Sequence, residues 1–223
     1  MHHIIQQLNT FDASFPTERK LLLVPNINLG RELLAALALQ NGGWVGWEVA
    51  TLGSVAERLA LIDLAERRLR RARDVALDDV VSSAFDEAIA AGELQPGLAG
   101  LDWSAGTRSA VTDAVLELRT AGVAPEFLQA VGASRSTDSA GLLARSLAPL
   151  LRRYERLLAD RSLADPTAQF AAALRAFDEQ RPFVLDHALM LCTPGWVVRG
   201  KPRSLFDRLV EAGLRCLLPV SSA

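Results

Sequence analysis

Residues 20–40 read KLLLVPNINLGRELLAALALQ, and the reading of this stretch decides the fold. Leu21 to Val24 form a short continuous apolar run, the pattern of a strand buried on both faces. Pro25 and Asn26 interrupt it. Gly30 then opens a helix, Arg31 to Gln40, which stops at Asn41-Gly42-Gly43. Strand, turn and helix in that order are also the setting of a phosphate-binding loop. Two readings therefore stand: an ordinary strand-to-helix turn, or a nucleotide loop that has lost its chemistry.

A Walker A loop reads G-x-x-x-x-G-K-[ST] between strand and helix. With Gly30 as its second glycine, the first glycine falls on Pro25, the lysine on Arg31 and the hydroxyl residue on Glu32. Pro25 has no N–H to offer a phosphate and cannot take a positive φ. Glu32 places a carboxylate where a hydroxyl would bind Mg²⁺. Arg31 keeps the charge, but as a planar fork and not a compact ammonium. On spacing alone the ordinary turn is favoured, and neither reading predicts a working nucleotide site. A Walker B acid is also missing, since the apolar run ending at Cys192 continues into Thr193-Pro194-Gly195 and Asp186 lies at its opposite end.

Working outward, Trp47 to Thr51 reads as a second short strand. Val55, Leu59, Ile62 and Leu69 are then spaced for one face of a long helix running into AERRLRRARD. From Leu77 to Phe177 only helical spacing appears, broken at Pro96-Gly97, Gly122, Gly132 and Ser162. Asp165-Pro166 predicts an N-cap followed by proline in the first helical turn. Beyond Arg181-Pro182 come a strand (HALMLC), a turn-rich connection, a helix stopped by Gly213 and another strand (LRCLLPV). Strand–helix–strand with a helix of that length implies a parallel crossover. The predicted fold class is α/β: a small parallel, P-loop-like sheet made from the two chain ends, 1–60 and 182–223, with an all-helical domain, 61–181, inserted between them.

Half of the 223 residues are apolar, enough for a sizeable core, and the net charge of −2 argues against a general polyanion binder. No apolar stretch approaches the ~18 residues of a membrane helix, so no membrane partner is expected. The start of the chain lacks the pattern of a signal peptide, and a cytoplasmic setting follows. Cys192 and Cys216 lie in apolar runs and read as buried free thiols, with a disulfide as the alternative. His2, His3 and His187 show no ligand spacing with either cysteine. No metal, cofactor or catalytic set is assigned.

Nucleic-acid contact would have to come from local patches. Arg67, Arg68, Arg70, Arg71 and Arg73 form one cluster and Arg152, Arg153 and Arg156 a second. Each is either a solvated helix face or a surface that follows a phosphate backbone. Trp44 and Trp47 suit packing beside a strand better than base stacking. Trp103 and Trp196 fall in loop-like segments, as core plugs or partner contacts.

The order of these segments resembles the N-terminal region of AddB/RecB-type helicase–nuclease proteins, in the UvrD-like superfamily 1 group. The likeness rests on the degenerate loop at Pro25–Glu32, on Thr51-Leu52-Gly53-Ser54, and on Leu118-Arg119-Thr120-Ala121-Gly122-Val123. Tyr154-Glu155 with Leu158, Leu163 and Asp165, and the closing strand–helix–strand that ends at Leu218-Pro219, complete it. The resemblance implies a helicase-like core with an inactivated nucleotide loop (Pro25, Asn26, Gly30, Arg31, Glu32). It puts Thr51 and Ser54 near a single-stranded DNA path, and makes single-stranded or forked DNA and an AddA-like helicase subunit the expected partners. It further implies that the chain is an inactive N-terminal fragment of a DNA repair protein, whose PD-(D/E)XK exonuclease domain lies further along. The alternative is a stand-alone α/β and helical protein-interaction module without DNA binding.

Overall fold

In the computed structural model, which describes residues 2–94, 100, 104–135, 138–179, 187–196 and 198–217, Leu21, Leu22, Leu23 and Val24 are all buried to within 1% of their surface. This is the environment that a continuous apolar run requires. β1 (Lys20–Leu23) lies between β2 (Trp47–Ala50) and β5 (Leu189–Cys192), and β6 (Leu214–Cys216) pairs with the far side of β5. The order is β2-β1-β5-β6 and every pairing is parallel, with Leu21 opposite Glu48 and Met190, and Cys192 opposite Cys216. The fold is thus α/β, with a small parallel sheet built from both ends of the chain and a large helical portion between them.

The chain divides into two compact units, Met1–Ile62 with Ala172–Ala223, and Asp63–Ala171. In the first, α1 (His2–Ser14) and α2 (Ile27–Asn41) cover one face of the sheet, packing Ile5, Leu8, Leu33, Leu34 and Leu37 against Leu22, Val24, Trp47, Leu189 and Leu191. α1 adds a helix to the expected set, and Ile5, Leu8 and Phe11 carry the helical spacing that marks it. It is tied down by Lys20, whose side chain is fully buried at the start of β1. The Lys20 ammonium donates to the Phe15 carbonyl at 2.5 Å and pairs with Asp12 at 3.1 Å, while the Trp47 indole N–H donates to the same carboxylate at 2.7 Å. The chain also forms α3 (Leu52–Glu66), which begins in this unit and runs on into the second, and α9 (Gly200–Glu211), which buries Leu205 and Leu209.

The second unit contains α4 (Asp74–Ala90), α5 (Ala105–Ala121), α6 (Pro125–Ser134) and α7 (Ser139–Asp160), followed by the start of α8 (Pro166–Asp178). Its core is Val80, Val81, Ala84, Phe85, Val115, Leu128, Leu150, Leu151, Tyr154 and Leu158. Asp165 caps α8, accepting from the Ala168 N–H at 2.8 Å, as the Asp-Pro pair predicts. Two features depart from the sequence-based expectation. The long helix through AERRLRRARD ends at Glu66. Arg70–Arg71 instead form a two-residue strand, β3, parallel to β4 (Leu163–Ala164), so the middle of the chain is not helical throughout. Tertiary pairing overrides helical spacing at this point: Arg70 N–H donates to Ser162 O at 2.8 Å and Ala72 N–H to Ala164 O at 2.9 Å.

The expected break at Pro96-Gly97, the boundary at Arg181-Pro182, Asp186, Trp103 and Leu218-Pro219 lie outside the described residues.

Candidate nucleic-acid interface

The loop after β1 is shorter than a phosphate cradle needs. α2 begins at Ile27, not at Gly30 as its spacing suggested, because Asn26 is an effective N-cap. Its backbone is extended (φ −143°, ψ 151°) and its side-chain oxygen accepts from the Leu29 N–H at 2.9 Å. Three residues that a Walker loop would use to wrap a phosphate are therefore already helical. Gly30 is buried for a different reason. A Cβ there would lie 2.2 Å from Val49 Cγ1 and 3.2 Å from Val24 Cγ2, so the missing side chain lets α2 sit close on the sheet. Pro25, Asn26, Arg31 and Glu32 are exposed or partly exposed around it.

Thr51 and Ser54 face each other across the first turn of α3. The Thr51 N–H donates to Ser54 Oγ at 2.9 Å, the Ser54 N–H to Thr51 Oγ1 at 3.2 Å, and the Ser54 hydroxyl to Thr51 O at 2.9 Å. This is a reciprocal cap, so both hydroxyls already serve the helix. At the carboxyl ends of β1 and β5, where open α/β sheets hold their ligands, the Thr193 N–H donates to Leu23 O at 3.2 Å; Trp196 donates to Thr193 Oγ1 at 2.9 Å and packs on Phe206 at 5.8 Å. Trp47 is buried beside the sheet, and Trp44 is half-exposed. At the opposite end of the strands His187 meets Glu48 at 3.2 Å, with Arg58 on the same carboxylate. Burial pushes the His187 imidazole down. For Glu48 burial works upward, yet Arg58 and His187 together hold the carboxyl below its usual range.

The sequence contains one Glu-x-Lys triplet, Glu18-Arg19-Lys20. Its lysine is the buried anchor of α1 and its glutamate is exposed. Among the described residues no group of three or more His, Cys, Asp or Glu could hold a metal ion.

The first arginine cluster lies at the junction of α3, β3 and α4, not along a helix. Arg67 pairs with Asp63 at 3.1 Å. Arg68 ends α3 in the left-handed conformation (φ 56°), with its own N–H on Ala65 O and the Leu69 N–H reaching back to Leu64 O. Arg70 and Arg71 are exposed on β3, and Arg73 is the N-cap residue of α4 but makes no side-chain cap. An open groove of about 780 Å³ runs here, lined by Arg70, Arg71, Arg73, Val75, Asp79 and Arg161 among others. Arg161, which follows α7, belongs to neither arginine cluster of the sequence. The packing of α7 on α4 and the β3–β4 pairing bring it beside residues far from it along the chain, and it is held by Asp79 at 2.5 Å and Ser83 at 2.9 Å. Arg68, Arg70 and Arg73 have no carboxylate partner among the described residues.

The second cluster is enclosed by acids. Arg153 bonds Glu93 at 2.9 Å and Glu87 at 3.2 Å, Arg156 pairs with the same Glu87, and Arg152 reaches Glu126 at 3.9 Å. The hydrogen bond from Arg153 holds the Glu93 carboxyl below its usual range, against a smaller opposing effect of burial.

The segments 118–123 and 154–165, which carry much of the resemblance, converge on one buried network. Arg119 bridges Glu155 and the fully buried Asp165 (3.2 Å), and the Tyr154 hydroxyl donates to Asp165 at 3.3 Å. Burial and the Asp165 charge push the Tyr154 phenol well above its ordinary value, with Arg119 opposing. These residues lock α5, α7 and α8 together. Compared with known protein families the chain matches none, and no curated protein matches it either.

Proposed function

We propose that the chain is a non-catalytic module that follows single-stranded DNA through the groove beside β3, within a helicase–nuclease of the kind its sequence resembles. The observation that carries this reading is the set of exposed arginines around one groove, with Arg70 and Arg73 lacking carboxylate partners among the described residues. A guanidinium not already committed to a carboxylate can give its fork of N–H groups to a phosphate. The uncapped start of α4 adds backbone N–H groups on the same side, partly offset by Asp74. Docking of a partner helicase subunit belongs to the same proposal. Among the described residues no helix is long and apolar enough to cross a membrane.

The test is fluorescence anisotropy with a labelled oligothymidylate. With three phosphate contacts, affinity falls about 20-fold between about 50 and 200 mM salt. Absence of binding at the lower salt, in a folded protein, would move the function to a protein-interaction module without DNA. An affinity indifferent to salt would remove the arginine groove from the reading.

A further inference from the structure

Cys192 ends β5 and Cys216 ends the outer strand β6, and the two are register partners in the parallel ladder. Their side chains therefore leave the sheet on the same face. Adjacent strands lie about 4.8 Å apart, inside the Cα separations of about 4.4–6.8 Å that a disulfide spans. The pair is asymmetric: both are free thiols, but Cys192 is buried and Cys216 is exposed. The Cys216 sulfur lies against two backbone acceptors, Leu217 O at 3.4 Å and Thr193 O at 4.0 Å. Leu217 N–H also donates to Cys192 O at 2.8 Å, so the strand ends are already fixed side by side.

We propose that Cys192 and Cys216 form a reversible disulfide within the chain, with a hydroperoxide as oxidant, which staples β6 to β5 at the carboxyl end of the sheet. Exposed Cys216 reacts first: its thiolate attacks the terminal peroxide oxygen, the O–O bond breaks, and a sulfenic acid and an alcohol (water, for hydrogen peroxide) result. The Cys192 sulfur then bonds to Cys216 Sγ and loses its proton, while the sulfenic hydroxyl leaves as water. Two thiols and one hydroperoxide give one disulfide, one alcohol and one water. Burial, with the neighbouring Cys216 charge and hydrogen bond, pushes the Cys192 thiol up to about 12. That keeps Cys192 protonated and slow toward oxidants from solution, so Cys216 is the thiol that is oxidised first, and the register of the two strands brings Cys192 to it for the second step.

The experiment treats the native chain with tert-butyl hydroperoxide, then unfolds it in the presence of an alkylating agent and measures intact mass and linked peptides. Both thiols are expected to become unreactive, with the mass falling by two hydrogens. A peptide joining Cys192 to Cys216 appears, and dithiothreitol restores both thiols. Cys192→Ser stops at a Cys216 sulfenic acid that dimedone captures, and Cys216→Ser leaves Cys192 reduced. Retention of both thiols, a gain of oxygen without loss of hydrogen, or a covalent dimer on a non-reducing gel would each overturn the proposal. The wild-type mass decides the matter even if a variant fails to fold.

Discussion

Arg152, Arg153 and Arg156 on α7, and Arg67 to Arg73 between α3 and α4, belong to the same helical unit and look alike as strings of residues. Their surroundings differ. Glu87, Glu93 and Glu126 take up the α7 set, joining α7 to α4 and α6. In the other set Arg67 pairs with Asp63, while Arg68, Arg70 and Arg73 have no carboxylate partner among the described residues. The comparison teaches that a count of arginines says little about charge available to a ligand. What matters is where the carboxylates lie after folding, and Glu87, Glu93 and Glu126 all come from outside α7.

The strongest form of the paired arrangement is Arg119, held by a carboxylate with no solvent exposure. Asp165→Ala would leave Arg119, the Tyr154 hydroxyl and the Ala168 N–H without their shared acceptor. A loss of about 3 kcal/mol or more is expected in urea unfolding, and a loss under 1 kcal/mol would show the network to be dispensable. The next largest effect sets the clusters against each other. Arg70→Ala with Arg73→Ala should weaken oligothymidylate binding at least about 5-fold while changing stability by no more than about 0.5 kcal/mol. Removing Arg152, Arg153 and Arg156 should do the reverse, lowering stability and changing affinity less than about 2-fold. Equal losses of affinity would erase the distinction.

A smaller change would convert one cluster into the other. Glu87→Gln with Glu93→Gln frees Arg153 and leaves Arg156 only the exposed Asp160 at 4.0 Å, so affinity at low salt should rise about 3-fold and the salt slope steepen by up to about 1.4, for two added contacts. Acid acts in the same direction. The Glu93 carboxyl is depressed in the folded state, so its stabilising contribution is present above the ordinary carboxylate range and is lost as pH falls through the folded value. The double variant should therefore lose part of the acid sensitivity of the wild type below about pH 4. An unchanged salt slope would mean that the freed arginines still face no DNA.

Local signals are legible in the sequence itself. The run Leu21–Val24 marks β1 because a strand buried on both faces has no room for alternation, and Asp165-Pro166 marks the start of α8 because cap chemistry is confined to neighbours. The pairing of β3 with β4 is hidden, because two residues carry no period and their partners lie far apart in the chain. For the same reason the amino-acid order alone neither places Arg161 in the groove nor assigns the acids around Arg153. Gly30 misleads in an instructive way: a glycine at a strand–helix junction suits both phosphate binding and close packing, and only the position of Val49 tells them apart. Cys192 and Cys216 are visible as apolar cysteines, but their register depends on a crossover through α9.

The smallest effect concerns the backbone that presents the groove. Arg68 occupies the left-handed position at which helices usually place glycine, in front of β3. Such a position costs an L-residue about 1 kcal/mol, partly offset in the unfolded chain by the greater freedom of glycine. Arg68→Gly should therefore stabilise the protein by about 0.5 kcal/mol. If the left-handed turn serves only to end α3, DNA affinity should fall by no more than the loss of one exposed charge, about 2-fold or 3-fold. A much larger fall, in a protein of undiminished stability, would mean that the arginine at this turn is itself the chief phosphate contact, and the centre of the groove would move from β3 to the end of α3.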